Sequence, residues 1–284
     1  MEGLRELRKH LEGIRSTEQL AGAMKTASAA KLTRLSRELD RFSAYADACR
    51  SVRDRFGSAL GEVWPAIDPK APRCVVLIGA NRGLSGGYNG ELYAYLDRIL
   101  AEGEPYLLVA AGRHAVARMK ERGIPLAAEF ALPDTASYEE AEPILDFVLG
   151  LWREGKISAV ELVAQRFVNT LTQIPGRSVL LPMKSAEGGG SGEILFLPDR
   201  ETALKSAAEV CLRADFYGRV LEALAGCQAA TLAAMRTACD NARDSAAELE
   251  TEISRKRQSE VTSGVLETSG SGARRGDGGR GGSQ

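Results

Sequence analysis

The sequence predicts an α/β fold: a long antiparallel coiled coil of N- and C-terminal helices, with an α/β domain inserted between them. Three observations predict it. Apolar residues recur at alternating spacings of three and four from Leu4 to Leu60, with no proline before Pro65. A similar seam returns from about residue 203 to 261. Between the two lie short apolar runs rich in β-branched residues, alternating with helical patterns.

The first seam passes through Leu4, Leu7, Leu11 and Ile14, then Leu32, Leu35, Leu39, Phe42, Ala46 and Cys49, and ends at Phe56 and Leu60. At a rise of about 1.5 Å per residue, such a helix runs roughly 85 Å. A helix this long needs a second long helix against its seam. The middle of the seam turns polar or small at Glu18, Ala21, Lys25 and Ser28, among Gly22, Ala23, Ala27, Ala29 and Ala30. Small residues let another backbone approach closely, so this stretch reads as a narrow waist in the coiled coil.

The partner seam follows Leu221, Ala225, Gln228, Leu232, Met235, Cys239, Ala242, Ala246, Leu249 and Ile253. Two long helices at opposite ends of one chain can pair antiparallel, which makes the middle an insertion. The expected boundaries are 1–64 for the first helix, 65–200 for the α/β domain and 201–267 for the second helix. Residues 268–284 are Gly, Ser and Arg with little to bury, and are expected to be a disordered tail.

Within the insertion, Pro65, Pro69 and Pro72 end the first helix. Cys74 to Ile78 is a continuous apolar run, as in a strand buried on both faces of a parallel sheet. A glycine-rich loop, Gly79 to Gly90, leads to a helix from Glu91 to Ala101. Tyr106 to Ala111 reads as a second buried strand, Gly112 to Arg122 as a helix, and Tyr138 to Arg153 as another with Pro143 in its first turns. Ser158 to Val168 and Val179 to Met183 read as strands, and Ile194 to Leu197 as an edge strand after the loop Gly188 to Gly192. The alternation predicts a Rossmann-like α/β sandwich of modest size.

Composition narrows the function. The chain has 284 residues, a net charge of -1, 44% hydrophobic and 26% charged residues, which is ordinary for a globular protein. The near-zero charge hides a basic stretch: Arg15, Lys25, Lys31, Arg34 and Arg37 face only one acid, Glu18. A basic helix face predicts an acidic partner surface. Nucleic acid fits poorly, since the stretch has no aromatic residue for base stacking. Cys49, Cys74, Cys211, Cys227 and Cys239 form no CxxC pair and have no histidine at ligand spacing, so they read as reduced and structural. With no signal peptide and no apolar run long enough to span a bilayer, work at a membrane is expected to go through a partner.

Catalysis is not readable. The glycine-rich loop has neither the GxxxxGK[ST] pattern of a phosphate loop nor GxGxxG, so it reads as a tight structural loop. His10 and His114 lack a partner at catalytic or ligand spacing and read as surface or helix-flank residues. No Ser-His-Asp or paired-carboxylate arrangement can be assembled, and no metal or cofactor is expected.

Four segments, in order, carry a resemblance. Ile14-Arg15-Ser16-Thr17-Glu18-Gln19-Leu20, continued by Ala23-Met24-Lys25 and Ala29-Ala30-Lys31-Leu32, resembles the N-terminal signature of the gamma subunit of F-type ATP synthases. Asn81-Arg82-Gly83-Leu84-Ser85-Gly86-Gly87 is similar to that family's glycine-rich segment. Phe167, Thr172, Gln173 and Pro175 resemble its TQxP strand segment, and Arg255, Arg257, Gln258 and Thr262 its C-terminal signature. The resemblance implies a rotor with no catalytic site of its own. The paired helices would form a shaft inside a hexamer of alpha and beta subunits. The α/β domain would grip the epsilon subunit and the membrane ring of c subunits, on the cytoplasmic side of a bacterial plasma membrane. Proton or sodium flow would turn the shaft, forcing identical beta sites into different affinities.

The resemblance also implies contact residues for the beta subunits. Met24, Lys25, Lys31 and Arg34 fall on the lower shaft, where Lys25 and Arg34 would slide past acidic beta levers. Arg255, Arg257, Gln258 and Thr262 fall near the top, against the beta catch loop. The chain departs from the family pattern at several points. Asn81 replaces an aspartate, Ser85 a cysteine, and Cys227 and Thr231 a glutamate and an arginine. Glu260 and Gly264 interrupt a last turn that is usually rich in alanine. The competing reading is a coiled-coil scaffold with an α/β head and no rotary role, which explains the seams but not the ordered segments.

Overall fold

The structure is a computed structural model that describes residues 2–64, 68–183 and 196–273. Its elements run α1 (Glu2–Val63), β1 (Arg73–Ile78), α2 (Tyr88–Leu100), β2 (Tyr106–Ala111), α3 (Arg113–Glu121), β3 (Ala128–Phe130), α4 (Tyr138–Arg153), β4 (Ala159–Phe167), β5 (Gln173–Leu181) and α5 (Arg200–Ala273). The chain divides into two compact units, Lys25–Ala234 and the paired ends Met1–Met24 with Met235–Gln284.

In the Lys25–Ala234 unit a five-stranded sheet has the order β3-β2-β1-β4-β5. β1, β2, β3 and β4 are parallel, and β5 runs antiparallel to β4. Every residue of β1 is buried, as its unbroken apolar run requires. Val75 and Leu77 pack with Leu92, Leu96, Met119 and Val163, under α2 and α3. Cys74, Val76 and Ile78 face the other way, onto α4 and the flanking parts of α1 and α5. α4 begins at a capping box formed by Ser137 and Glu140, which satisfies backbone groups that a helix start leaves open. Pro143 is the sixth helical residue, where its missing N–H leaves the Glu139 carbonyl without its helical donor.

The long helices pair antiparallel within each unit. Phe42 meets Tyr217 edge to face at 5.3 Å, and the Cys211 thiol donates to the Cys49 carbonyl at 3.3 Å. In the unit of chain ends, Arg15 pairs with Glu250 at 2.6 Å and Glu18 with Arg243 at 3.2 Å. The buried positions of α1 include Leu11, Ala21, Ser28, Leu32, Leu35, Cys49 and Leu60, which follow the expected seam. Those of α5 include Leu221, Ala225, Gln228, Met235, Cys239, Ala242 and Ala246.

Several boundaries differ from expectation. α2 begins at Tyr88, so the glycine-rich loop ends at Gly87. β3 was not expected; three residues carry no readable period. β5 starts at Gln173 and includes Pro175, which is tolerated because β5 pairs only with β4 among the described residues. Phe196 and Leu197 are not in a strand, and the remainder of that expected edge strand, with the loop 188–192, lies outside the described residues. α5 continues through 268–273, past the expected helix end. The rest of the Gly/Arg tail, 274–284, also lies outside them.

Candidate functional site

The strand order reverses beside β1. The chain moves from β1 to β2 and β3 on one side, then returns to place β4 on the other. In open α/β sheets, the crevice at such a point, outside the carboxyl ends of the strands, is where ligands ordinarily bind. Here α5 lies against it. The Tyr88 hydroxyl donates to the Ala223 carbonyl at 2.8 Å. Ala80, Tyr88 and Cys227 form a small buried cluster with Ala230 packed on it. A side chain at Gly226 would press on Gln173 and Tyr88, so glycine lets α5 approach the sheet closely.

The loop from Gly79 to Gly87 is tied to its own surroundings. Asn89 Nδ2 donates to Ser85 Oγ at 3.1 Å and to the Arg82 carbonyl at 3.3 Å. Gln165 Nε2 donates to the Tyr88 carbonyl at 3.0 Å, joining β4 to the first turn of α2. Gly112, at φ 101°, brings the start of α3 against the Gly79 carbonyl; a Cβ there would collide with it. Leu84 also has a positive φ, 64°, and stays 62% exposed at the loop's tip.

A second polar chain begins at Asn81. Its side-chain carbonyl accepts from the Arg113 backbone N–H at 3.0 Å, capping α3 from outside. Its Nδ2 donates to the Leu132 carbonyl and, at 2.9 Å, to Asp134 Oδ1. The other oxygen of Asp134 accepts from the Lys31 ammonium. Burial works against the Asp134 charge, but the hydrogen bonds from Lys31 and Asn81 outweigh it and hold the carboxyl below its ordinary value of 3.8. The pair thus contributes stability throughout the neutral range, lost only as pH falls below 3.8 through the depressed folded value.

The residues singled out in the sequence fall into distinct settings. Met24 and Lys25 are half-buried on α1 and Arg34 is exposed. Arg255, Arg257, Gln258 and Thr262 are exposed on α5, and the Thr262 hydroxyl donates within the helix to the Gln258 carbonyl. Lys25, Arg34, Arg255 and Arg257 make no ion pair among the described residues, whereas Lys31 is held by Asp134. Asp134, Tyr88 and Gln165 were missed. Tyr88 could have been suspected as a bulky aromatic next to a glycine pair; nothing local links Asp134 to Lys31.

The departures from the family pattern have local explanations. Ser85 is buried as an acceptor for Asn89. Cys227 packs under the glycine-rich loop, and the Thr231 hydroxyl donates back to the Cys227 carbonyl, so this part of α5 is held by apolar contact. The five cysteines are free and buried. Burial raises the Cys74 and Cys227 thiols to about 12 and the Cys211 thiol to about 11, far from a reactive thiolate. His114 is half-buried and shares a 2.9 Å hydrogen bond with the Tyr93 hydroxyl. Among the described residues, no cluster of histidine, cysteine or carboxylate side chains could hold a metal ion.

Paired long helices, a sheet with one of them packed over its switch point, and cations that form no salt bridge among the described residues define the class. It is a helix-pair protein whose α/β domain serves the helices. A family model described as ATP synthase matches residues 3–273. The "ATP synthase gamma chain" of Pelotomaculum thermopropionicum is 31% identical over 281 residues, covering 96% of this chain and 99% of the relative. That of Desulfitobacterium hafniense is 30% identical over 275 residues, covering 95% and 98%. Among solved structures, a chain of the Euglena gracilis mitochondrial ATP synthase, solved as OSCP/F1/c-ring, has the same fold. Its TM-score is 0.74 at 15% identity, with 100% of this chain and 99% of that one covered. A rotor chain of the same organism's enzyme gives a TM-score of 0.66 at 17% identity, covering 92% and 99%.

The chain belongs to the ATP synthase gamma-chain family. The family matches favour membership of an ATP synthase over a free-standing scaffold.

Proposed function

We propose that the chain is a non-catalytic rotor that couples proton or sodium flow through a membrane sector to ATP synthesis or hydrolysis on beta subunits. The observation that carries this reading is a set of cations that form no salt bridge among the described residues, Lys25 and Arg34 on α1 with Arg255 and Arg257 on α5. Long flexible cations suit a sliding contact with carboxylates better than fixed packing does. Met24, Lys25 and Arg34 would meet the lower beta levers, and Arg255, Arg257, Gln258 and Thr262 the upper catch loop.

The proposed partners are the alpha and beta subunits, the epsilon subunit and the ring of c subunits. No described helix is long and apolar enough to cross a membrane. Attachment through the c ring, at the cytoplasmic face of a bacterial plasma membrane, accords with that. The similar chain of the Euglena gracilis enzyme was solved within an OSCP/F1/c-ring assembly. The test is co-purification of a tagged full chain from its native cell. Alpha, beta and epsilon subunits in defined ratio are expected; recovery of the chain without them would overturn the proposal.

A further inference from the structure

We infer that Lys31 is an internal strut and not a partner contact: through Asp134 and Asn81 it ties α1 to the carboxyl end of the sheet, so that the helix and the α/β domain move together. The movement rests on the rotor reading above; the tie does not.

Three features carry the inference. The first is continuity. Lys31 bonds Asp134, Asp134 bonds Asn81, and Asn81 accepts from the first residue of α3 while donating to the Leu132 carbonyl. One polar chain therefore joins α1, the segment between β3 and α4, the end of β1 and the start of α3. Only an amide can fill the Asn81 position, because it must donate twice and accept once. A carboxylate there would face both the Leu132 carbonyl and Asp134.

The second feature is anchorage. Lys31 adjoins Leu32, and Asp134 lies between Leu132 and Ala136, all buried. A salt bridge between long mobile side chains loses much of its value to ordering, but here both backbones are already fixed. The third is charge. An ammonium already paired with a carboxylate presents little net field to a second acid, and the Lys31 side chain is 36% exposed against 20% for Asp134. Lys25 and Arg34 form no salt bridge among the described residues. Lys25 and Arg34 on the basic face are thus left for partners, whereas Lys31 is turned inward onto Asp134.

The test is a charge swap in the full chain, assembled into its complex. Lys31→Glu and Asp134→Lys are made singly and together, and ATP-driven ion pumping per ATP hydrolysed is read beside subunit stoichiometry. For the strut, each single variant assembles but pumps less per ATP, by up to about fivefold, the equilibrium factor of one partly exposed pair. The double swap restores the ion pair but not the bond from Asn81, so it pumps better than either single variant without reaching the parent. If Lys31 instead contacts an acidic partner, Asp134→Lys alone is harmless and the double swap is as impaired as Lys31→Glu; that result overturns the inference. Unchanged pumping in all three variants overturns it too. Should a reversed charge prevent folding, Lys31→Gln with Asp134→Asn substitutes a neutral pair and is read in the same way. Failure of the rotor reading is separately visible, because the parent complex would then show no coupled pumping. The melting temperature of the free chain still reports the tie: lowered in both single variants and partly recovered in the double for a strut, whereas for a partner contact Lys31→Glu leaves it unmoved.

Discussion

The Lys25–Ala234 unit and the unit made of the chain ends use the same heptad-like spacing for different ends. In the first, α5 buries Leu221 and Ala225 on the seam and Phe216 and Val220 beyond it, because the sheet packs on a second side. In the second, the buried positions are Leu11, Ala21, Met235, Cys239, Ala242 and Ala246, with exposed ion pairs at the margins. Small residues bring two backbones close but remove little apolar surface from water. Leu20 and Val261 stay exposed there, at 62% and 60%. The contrast teaches that one unit holds itself together, whereas the other has the composition of a helix pair that is completed by surrounding surfaces.

Substitutions can break this comparison. Phe216 is 1% exposed, and Phe216→Ala should cost about 3–5 kcal/mol of stability, the range for a large buried aromatic. Denaturant unfolding of the full chain should show this as a large fall in midpoint. A loss below about 1 kcal/mol would mean that the Lys25–Ala234 unit does not depend on its large side chains.

Tyr88→Phe removes one hydroxyl from the contact with α5 and leaves the ring in place. The Ala223 carbonyl keeps its helical hydrogen bond, so the loss should be about 1 kcal/mol. A drop in melting temperature of a few degrees is expected. No change at all would show that apolar contact alone seats α5 in the crevice, which would sharpen the account of the glycine loop.

Arg15→Ala should matter least. The Arg15 and Glu250 side chains are 56% and 50% exposed, so their pair contributes no more than about 0.5 kcal/mol. Raising the salt concentration should erase even that. A larger, salt-resistant loss would contradict the view that the chain ends are weakly held on their own.

Much of this was legible in the sequence, for physical reasons that differ by element. β1 was readable because a strand covered on both faces has no polar residues to hide its run. α4 was readable because Ser137 and Glu140 mark its start and its apolar face includes Ile144, Leu145 and Val148. The two seams were readable because long helices repeat their period many times. β3 was too short to show one, and Pro175 disguised the first half of β5 as a loop. The partners of Lys31 and Tyr88 were not legible, since they depend on contacts with Asp134 and Ala223 far along the chain. A residue's charge could be read from the sequence; whether the fold had already neutralised it could not.

The central claim is that the unpaired cations of α1 act across a moving interface and not in folding. The direct measurement is the Lys25→Glu, Arg34→Glu double variant, with subunit stoichiometry and ATP-driven ion pumping read side by side. Neither cation has an ion pair among the described residues, so reversal should leave the chain folded and the complex assembled. Like charges would then meet acidic levers at each passage, and a barrier of about 1.4 kcal/mol slows a step tenfold. Normal stoichiometry with pumping reduced roughly tenfold is the predicted result. Normal stoichiometry with unaltered pumping would show these residues to be surface charge and would contradict the account.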